Sequence, residues 1–398
     1  MATNRRILFV DGETQALREL HDSFIARTQP LDTLYCSGGM AALDVLHQSP
    51  CEAVVTDLRL AGMSGDQLLE QIFKQYPQTH RVVLADLGDL QALLRCVGNV
   101  NQFLILPCEV ERLQIVLERA VTFDLWLPNQ TVRELLGPMP QLPSPAEYYD
   151  RVVRELQSAT ASAEAIGALI AQDPAMTARV LQLANSAAYG LPTEDSDPAK
   201  AVRELGLANI KALLLLSHTY SNFAKPEAVG FSVEKLWQHS HATARVAAAI
   251  AREAGVDAEM IQQSASAGLL HNIGKLALAA NLPDQFAEAN TLTKSGALKW
   301  WQAELKVFGA THGEVGGWLL GIWGLPVPIV EAVALHHHPT KFLSREFCPL
   351  TAVHLADQFL RSANLDAAME AVDTEYLRAI GVLEKLPLWW ERCRSRSS

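Results

Sequence analysis

The chain has 398 residues, of which 49% are hydrophobic and 19% are charged, and its formal net charge is −11. This length accommodates two ordinary globular domains, and no stretch approaches the ~18 uncharged apolar residues that a membrane span requires. The acidic charge disfavours direct binding of nucleic acid, whose phosphates are recognised by Lys and Arg. The six cysteines form no C-x-x-C pair, which argues against a zinc ribbon or a disulfide framework. We expect a cytoplasmic protein, because the N-terminus lacks the apolar region and cleavage site of a signal peptide.

The first 121 residues alternate short apolar runs with segments of helical period. This pattern predicts an α/β domain with a doubly wound parallel sheet of five strands. The strands are predicted at 6–10, 31–36, 53–57, 81–85 and 102–106, and the helices near 14–28, 39–48, 65–76, 89–97 and 109–121. Because the carboxyl ends of parallel strands meet at one edge of a sheet, we expect Asp11, Asp57, Ala85 and Leu106 to lie together there.

A proline-rich segment, 122–145, separates this domain from the rest of the chain. It is predicted as a linker, because its five prolines and Gly137 interrupt any long helix. From residue 146 the pattern is helical and rich in alanine, with Asp173 as a helix N-cap and Gly255 as a helix end. The sequence therefore predicts an all-α domain over 146–345, followed by a C-terminal helical extension and tail over 346–398.

Two segments of the first domain carry a family resemblance: ILFVDGE at 7–13 and VVTDLRLAGMSG at 54–65. They resemble the receiver domains of response regulators, a flavodoxin-like fold, over residues 5–121. The resemblance implies that Asp57 is the phosphoacceptor. It also implies that Asp11, with Glu13 near it, forms an acidic pocket for Mg²⁺.

Three positions of the receiver pattern are altered in this sequence. The second acid is Gly12, the switch hydroxyl position is Ala85, and the lysine position is Leu106. Only Phe103, at the rotating aromatic position, remains of the residues that read the phosphoryl group. An aspartyl phosphate needs a fixed cation and hydrogen-bond donors, so we expect an interaction domain in which Asp57 is a strand-end acid. Regulated phosphorylation is the alternative.

Four segments of the helical domain are similar to the HDOD family, a relative of the HD and HD-GYP phosphohydrolases. They are IAQDPAM at 170–176, VLQLANSAAYG at 180–190, AVRELG at 201–206 and GLLHNIGKL at 268–276. HD enzymes hold one or two divalent ions with histidines and carboxylates from several helices. Carried onto this chain, the resemblance implies seven ligand positions: His239, His271, Asn272, His312, His336, His337 and Asp357.

The metal site implied by this resemblance has lost charge. The motif's aspartate is Asn272, whose amide cannot neutralise two cations, and Asp357 is the only evident carboxylate left. We therefore expect one divalent metal at most in the helical domain. The alternative interpretation is a buried polar cluster of histidines satisfied by hydrogen bonds. The GYP signature that accompanies cyclic dinucleotide hydrolysis is absent.

These patterns favour a non-enzymatic signal-transduction protein, in which the HDOD domain is a protein-interaction or regulatory output module. The expected partners are other signalling proteins, among them a histidine kinase, with a second copy of the chain as a further candidate. Neither nucleic acid nor a membrane is expected as a partner. The alternative function is a metal-dependent phosphohydrolase or phosphodiesterase acting on a nucleotide or cyclic dinucleotide. A DNA-binding regulator is disfavoured by the acidic charge and the lack of a recognition helix.

Overall fold

The structure, a computed structural model, describes two connected domains. The described residues are 6–12, 19, 21–22, 24–25, 32–85, 96, 99–106, 108–126, 142, 144, 146–158, 160–185, 195–207, 209–211, 232–294, 296, 298–342 and 346–395. The helices predicted near 14–28 and 89–97, and most of the predicted linker, fall largely outside them. No helix among these residues is both long and apolar enough to cross a membrane.

A five-stranded parallel sheet forms the first domain, with the strand order β2-β1-β3-β4-β5. Its described elements are β1 (Arg6–Asp11), β2 (Asp32–Ser37), α1 (Gly39–Gln48), β3 (Ala53–Asp57), α2 (Gly65–Gln75), β4 (His80–Ala85), β5 (Gln102–Ile105) and α3 (Val110–Trp126). Strands β3 and β4 are buried along their whole length, as expected for apolar strands inside a parallel sheet. The predicted doubly wound sheet is confirmed, although α3 continues into the first residues of the segment predicted as linker.

Helices build the rest of the described chain, as predicted. They are α4 (Ala146–Leu156), α5 (Ala163–Ile170), α6 (Pro174–Asn185), α7 (Pro198–Leu205), α8 (Val233–Ala254), α9 (Ala258–Leu270), α10 (Ile273–Asn281), α11 (Pro283–Lys294), α12 (Trp300–Phe308), α13 (His312–Ile322), α14 (Val327–Leu335), α15 (Pro349–Arg361), α16 (Leu365–Ala371), α17 (Thr374–Ala379) and α18 (Leu386–Ser395). Asp173 caps α6 by accepting hydrogen bonds from the N–H groups of Ala175 and Met176 at 2.8 and 3.0 Å. Gly255 ends α8 in the left-handed conformation, with φ 78°.

The two domains pack together through β5 and α3 on one side and α6 and α13 on the other. The Gln102 side-chain N–H donates to the carbonyl of Ile322 at 3.1 Å, and Gln182 donates to the carbonyl of Val100 at 3.3 Å. Both hydrogen bonds are buried, where an unmade partner costs about 1–3 kcal/mol. They therefore fix the orientation of the sheet domain on the helical domain.

One apolar core runs through this contact. Ala85, Val100 and Phe103 of the sheet domain belong to the same buried cluster as the helices, with exposed fractions of 1%, 4% and 0%. The edge of the sheet that carries the receiver's switch positions, Ala85 and Phe103, thus lies in the interior of the protein.

Candidate metal centre and strand-end pocket

The strand-end pocket contains the predicted phosphoacceptor. Asp57 ends β3 and is 4% exposed, and its Oδ1 accepts a hydrogen bond from the Arg59 N–H at 2.9 Å. Ala85 and Leu106 meet beside it at the ends of β4 and β5, joined by a hydrogen bond from the Leu106 N–H to the Ala85 carbonyl at 2.9 Å. Backbone pairing of β1 with β3 places the end of β1 at the same edge. The side chain of Asp11, and all of Glu13, lie outside the described residues.

The surroundings of Gly12 show whether this pocket can hold the Mg²⁺ that the resemblance to receiver domains implies. A Cβ atom at position 12 would lie 1.7 Å from the carbonyl oxygen of Arg59 and 3.4 Å from the carboxyl carbon of Asp57. The loop after β3 therefore fills the place of the second acid's side chain. With that acid gone and its space taken by a backbone carbonyl, the residues present do not fit the family's Mg²⁺ site.

We expect the substitution Gly12→Asp to destabilise the sheet domain by about 1–3 kcal/mol, because its side chain clashes with backbone that cannot rotate away. It should not create a Mg²⁺ site. Urea unfolding with and without Mg²⁺ measures both effects. Gly62→Asp is the control, since Gly62 lies in the same loop at φ 79° with open space around it. Stability equal to that of the control, together with Mg²⁺ uptake, would contradict this account.

The helical domain brings six of the seven predicted ligand residues into two groups. The first group is His239 on α8, His271 at the end of α9 and Asp357 on α15. Asp357 Oδ1 lies 2.7 Å from His239 Nε2 and 3.5 Å from His271 Nε2. Burial raises the pKa of Asp357, but the hydrogen bond from the His239 imidazole and the charge of Arg361 outweigh it and hold that pKa well below its usual value. Asp357 is therefore a carboxylate.

The seventh residue, Asn272, contacts the first group through its amide. Its Nδ2 donates to His271 Nε2 at 2.6 Å, while His271 Nδ1 donates to the Gly268 carbonyl at 2.7 Å. The amide thus occupies the lone pair with which His271 would bind a metal. Asn272 Oδ1 is buried and has no hydrogen-bond partner among the described residues.

The second group is His312 at the start of α13 with His336 and His337 directly after α14, and one ring nitrogen of each lies within 4.8 Å of the others. His312 Nδ1 donates to Glu304 at 2.6 Å, and His336 Nδ1 donates to the Val333 carbonyl at 2.8 Å. These bonds leave the Nε2 atoms of both imidazoles as acceptors, and His312 Nε2 accepts a hydrogen bond from His337 Nε2 at 3.2 Å. A hydrogen bond from Nδ1 of this kind also positions metal-binding histidines.

Burial lowers the pKa of His312, His336 and His337 well below the ordinary value of an imidazole. The charge of Lys275 lowers the pKa of His312 further. All three rings are therefore neutral, which is the form that binds a metal ion. His336 Nε2 has no hydrogen-bond partner within the described part of the chain.

Two buried charges lie behind the second group. Lys275 on α10 is 8% exposed, and its Nζ lies 5.9 Å from the centroid of the Trp300 ring. Burial lowers its pKa to about 8, and the charge of Arg361 acts in the same direction. Burial raises the pKa of Glu304 to about 7, against the charge of Lys275. Each group offsets the charge of the other inside the protein.

Sequence reasoning missed three charged residues of this site. Arg361 lies four residues after Asp357 on one helix, a spacing that predicts a contact. Lys275 lies inside the GLLHNIGKL segment but received no role. Glu304 gives no sequence signal, because it reaches His312 from a separate helix.

His354 has a different role, since both of its ring nitrogens are used in hydrogen bonds. Nδ1 donates to the His336 carbonyl at 2.8 Å, and Nε2 accepts from the Asp373 N–H at 2.9 Å. It is a structural histidine that holds the segment after α14.

Comparisons with known proteins find relatives of each part. An uncharacterised protein of Treponema pallidum (strain Nichols) is 24% identical over 248 residues, which are 62% of this chain and 47% of that protein. Response regulator protein PilR of Pseudomonas aeruginosa is 28% identical over 120 residues, which are 30% of this chain and 26% of PilR. The chain thus spans about half of the first relative and about a quarter of the second. Among solved structures, the MmoQ response regulator of Methylococcus capsulatus str. Bath is 29% identical, covers 61% of this chain and 98% of its own, and has a TM-score of 0.46.

Family models match most of the chain. The response regulator receiver domain matches residues 7–118, and the HDOD domain matches residues 142–339. Helix α15, which supplies Asp357 and Arg361, follows the second match. The chain therefore belongs to the signalling proteins that join a response regulator receiver domain to an HDOD domain.

Proposed function

We propose that this protein is a non-enzymatic signalling module, in which the receiver domain acts through its packing on the HDOD domain and not through phosphorylation. The observation that carries the proposal is the burial of the receiver's switch positions. Ala85 and Phe103 lie in the core that both domains share. An aromatic residue that is enclosed on both sides has no second position to rotate into without opening the interface.

The chemistry of the strand-end pocket supports the same conclusion. A stable aspartyl phosphate needs a cation and a hydroxyl donor near it. Leu106 and Ala85 supply neither, and the Arg59 carbonyl fills the place of the second acid. The HDOD domain would then present a surface to other signalling proteins, a histidine kinase among them, with the receiver as a fixed part of that surface.

Acetyl phosphate with Mg²⁺ tests this proposal on the full chain. We expect intact-mass analysis to find no phosphorylated protein, and hydrogen exchange to find unchanged protection of α13. Small-angle scattering should fit one compact arrangement of the two domains. Stoichiometric labelling that is lost in Asp57→Asn, with altered exchange at α13, would instead support regulated phosphorylation.

The second candidate function is a metal-dependent phosphohydrolase acting on a nucleotide or cyclic dinucleotide. The observation in its favour is the group of three neutral imidazoles, in which His336 Nε2 has no hydrogen-bond partner in the part of the chain that the structure describes. Against it stands Asn272, whose amide cannot bridge two ions as the motif's carboxylate would. A phosphodiesterase assay after reconstitution with Mn²⁺, Fe²⁺ or Zn²⁺ separates the two functions: turnover that is lost in His312→Gln would favour the hydrolase.

A further inference from the structure

The first histidine group already contains a cation. Arg361 Nε donates to Asp357 Oδ1 at 2.9 Å, and Arg361 Nη2 lies 3.4 Å from His239 Nε2. The guanidinium therefore contacts two of the three atoms that a metal ion would bind in this group. Because Asp357 is fully buried, its charge needs a partner, and an arginine on the same helix supplies one without any bound ion.

Binding a metal in the first group would break these contacts. A divalent ion would have to displace the guanidinium from Asp357 and the Asn272 amide from His271 Nε2. It would also have to be stable beside the positive charges of Arg361 and Lys275, with Asp357 as the only carboxylate of the group. The residues present in the first group thus do not fit a metal ion.

The second group is less obstructed. Among the described residues no guanidinium contacts its ring nitrogens, and the charge of Lys275, which lies near both groups, is offset by Glu304. His337 Nε2 donates a hydrogen bond to His312 Nε2 at 3.2 Å, close to the roughly 3.3 Å that separates two nitrogens bound tetrahedrally to one zinc ion. Neutral His337 can carry its proton on Nδ1 instead, so a metal ion can take the place of the shared proton. His336 Nε2 is buried and unpartnered among the described residues, and the Glu304 carboxylate orients His312 from behind. A carboxylate–histidine–metal arrangement of this kind makes the imidazole a stronger ligand.

We propose that Arg361 is the resident cation of the His239–His271–Asp357 group, and that the protein consequently binds one metal ion, at His312, His336 and His337. The ligands are three imidazole nitrogens with no carboxylate among them. Such a set favours Zn²⁺, Co²⁺ or Ni²⁺ over Mn²⁺ and Mg²⁺, which prefer oxygen ligands. The site is therefore mononuclear and selective for nitrogen-binding metals, unlike a carboxylate-bridged pair.

Metal stoichiometry of the full chain tests both parts of the proposal. Protein stripped with a chelator is incubated separately with Zn²⁺, Co²⁺ and Mn²⁺, freed of unbound metal by gel filtration and analysed by elemental mass spectrometry. We expect one Zn²⁺ or Co²⁺ per chain and no retained Mn²⁺. Co²⁺ should give the intense visible absorption of a four-coordinate site, and Zn²⁺ should raise the unfolding midpoint.

Variants separate the two groups. His336→Gln and the less buried His337→Gln should lose the bound Zn²⁺ while keeping wild-type circular dichroism. Arg361→Gln should bind a second ion, and should now retain Mn²⁺, because Asp357 and His239 become available and only the neutral Asn272 amide is left to be displaced from His271. Arg252→Gln, at an exposed arginine on α8, is the matched control and should stay at one ion.

Three outcomes would overturn the proposal. Wild-type protein that binds no Zn²⁺, or that binds two ions, refutes the single site. Retention of Zn²⁺ by both folded histidine variants refutes the assigned ligands. If Arg361→Gln binds only one ion, as the control does, then Arg361 is not the residue that keeps a metal ion out of the first group.

Discussion

Gly274→Ala should destabilise the helical domain by about 3 kcal/mol, at the upper end of the usual cost of overpacking. A Cβ atom at position 274 would lie 2.0 Å from the carbonyl oxygen of His312 and 2.8 Å from the backbone nitrogen of Gly316. Both contacts are to backbone, so no side-chain rotation relieves them. Helices α10 and α13 would have to separate, and His312 at the start of α13 would move with them.

Denaturant unfolding followed by circular dichroism measures this effect, and Zn²⁺ retention reports the displacement of His312. Gly255→Ala is the control, because Gly255 has φ 78° and open space around it. Gly255→Ala should lower the free energy of unfolding by about 1 kcal/mol, because of the left-handed backbone conformation alone. Equal destabilisation of the two variants, with Zn²⁺ binding kept in Gly274→Ala, would show that the helix crossing tolerates a methyl group.

The sheet domain could be predicted from its sequence because its signals are local. Runs such as 53–57 combine apolar and β-branched residues over the length of one strand, and parallel pairing follows from the helical segments between them. The strand ends differ by one or two residues from the prediction, as at β5, which ends at Ile105. The consequence of having glycine at position 12 could not be predicted from the sequence. The sequence reports a missing acid, whereas only the folded loop reveals that the Arg59 carbonyl has taken its place.

The helical site divides in the same way. The histidine positions can be predicted from motifs within single segments. That they form two separate groups cannot be predicted from the sequence. Glu304 reaches His312 from α12, and the partition depends on how α13, α14 and α15 cross. Arg361 could have been predicted from its spacing after Asp357, but only its contact with His239 gives that spacing a role.

Glu304→Leu should destabilise the protein by about 3–5 kcal/mol, more than Gly274→Ala. Glu304 is fully buried, and its Oε2 accepts hydrogen bonds from the His312 backbone N–H at 3.0 Å and from Nδ1 at 2.6 Å. It also offsets the buried charge of Lys275. Leucine removes the acceptor and the negative charge together, so it leaves two donors and a buried ammonium group without compensation.

The double variant Lys275→Met, Glu304→Leu separates these two causes. If the uncompensated ammonium is the larger part of the cost, removing it should restore about 1–3 kcal/mol relative to Glu304→Leu alone, as expected for coupled neighbours. Lys275→Met by itself is the matched control, and Glu304→Gln keeps an acceptor for His312 while removing the charge. Denaturant unfolding of the wild type, the two single variants Lys275→Met and Glu304→Leu, and the double variant at one pH gives the coupling free energy. A coupling indistinguishable from zero would mean that Glu304 stabilises the fold only by holding His312, and that Lys275 is neutral inside the protein.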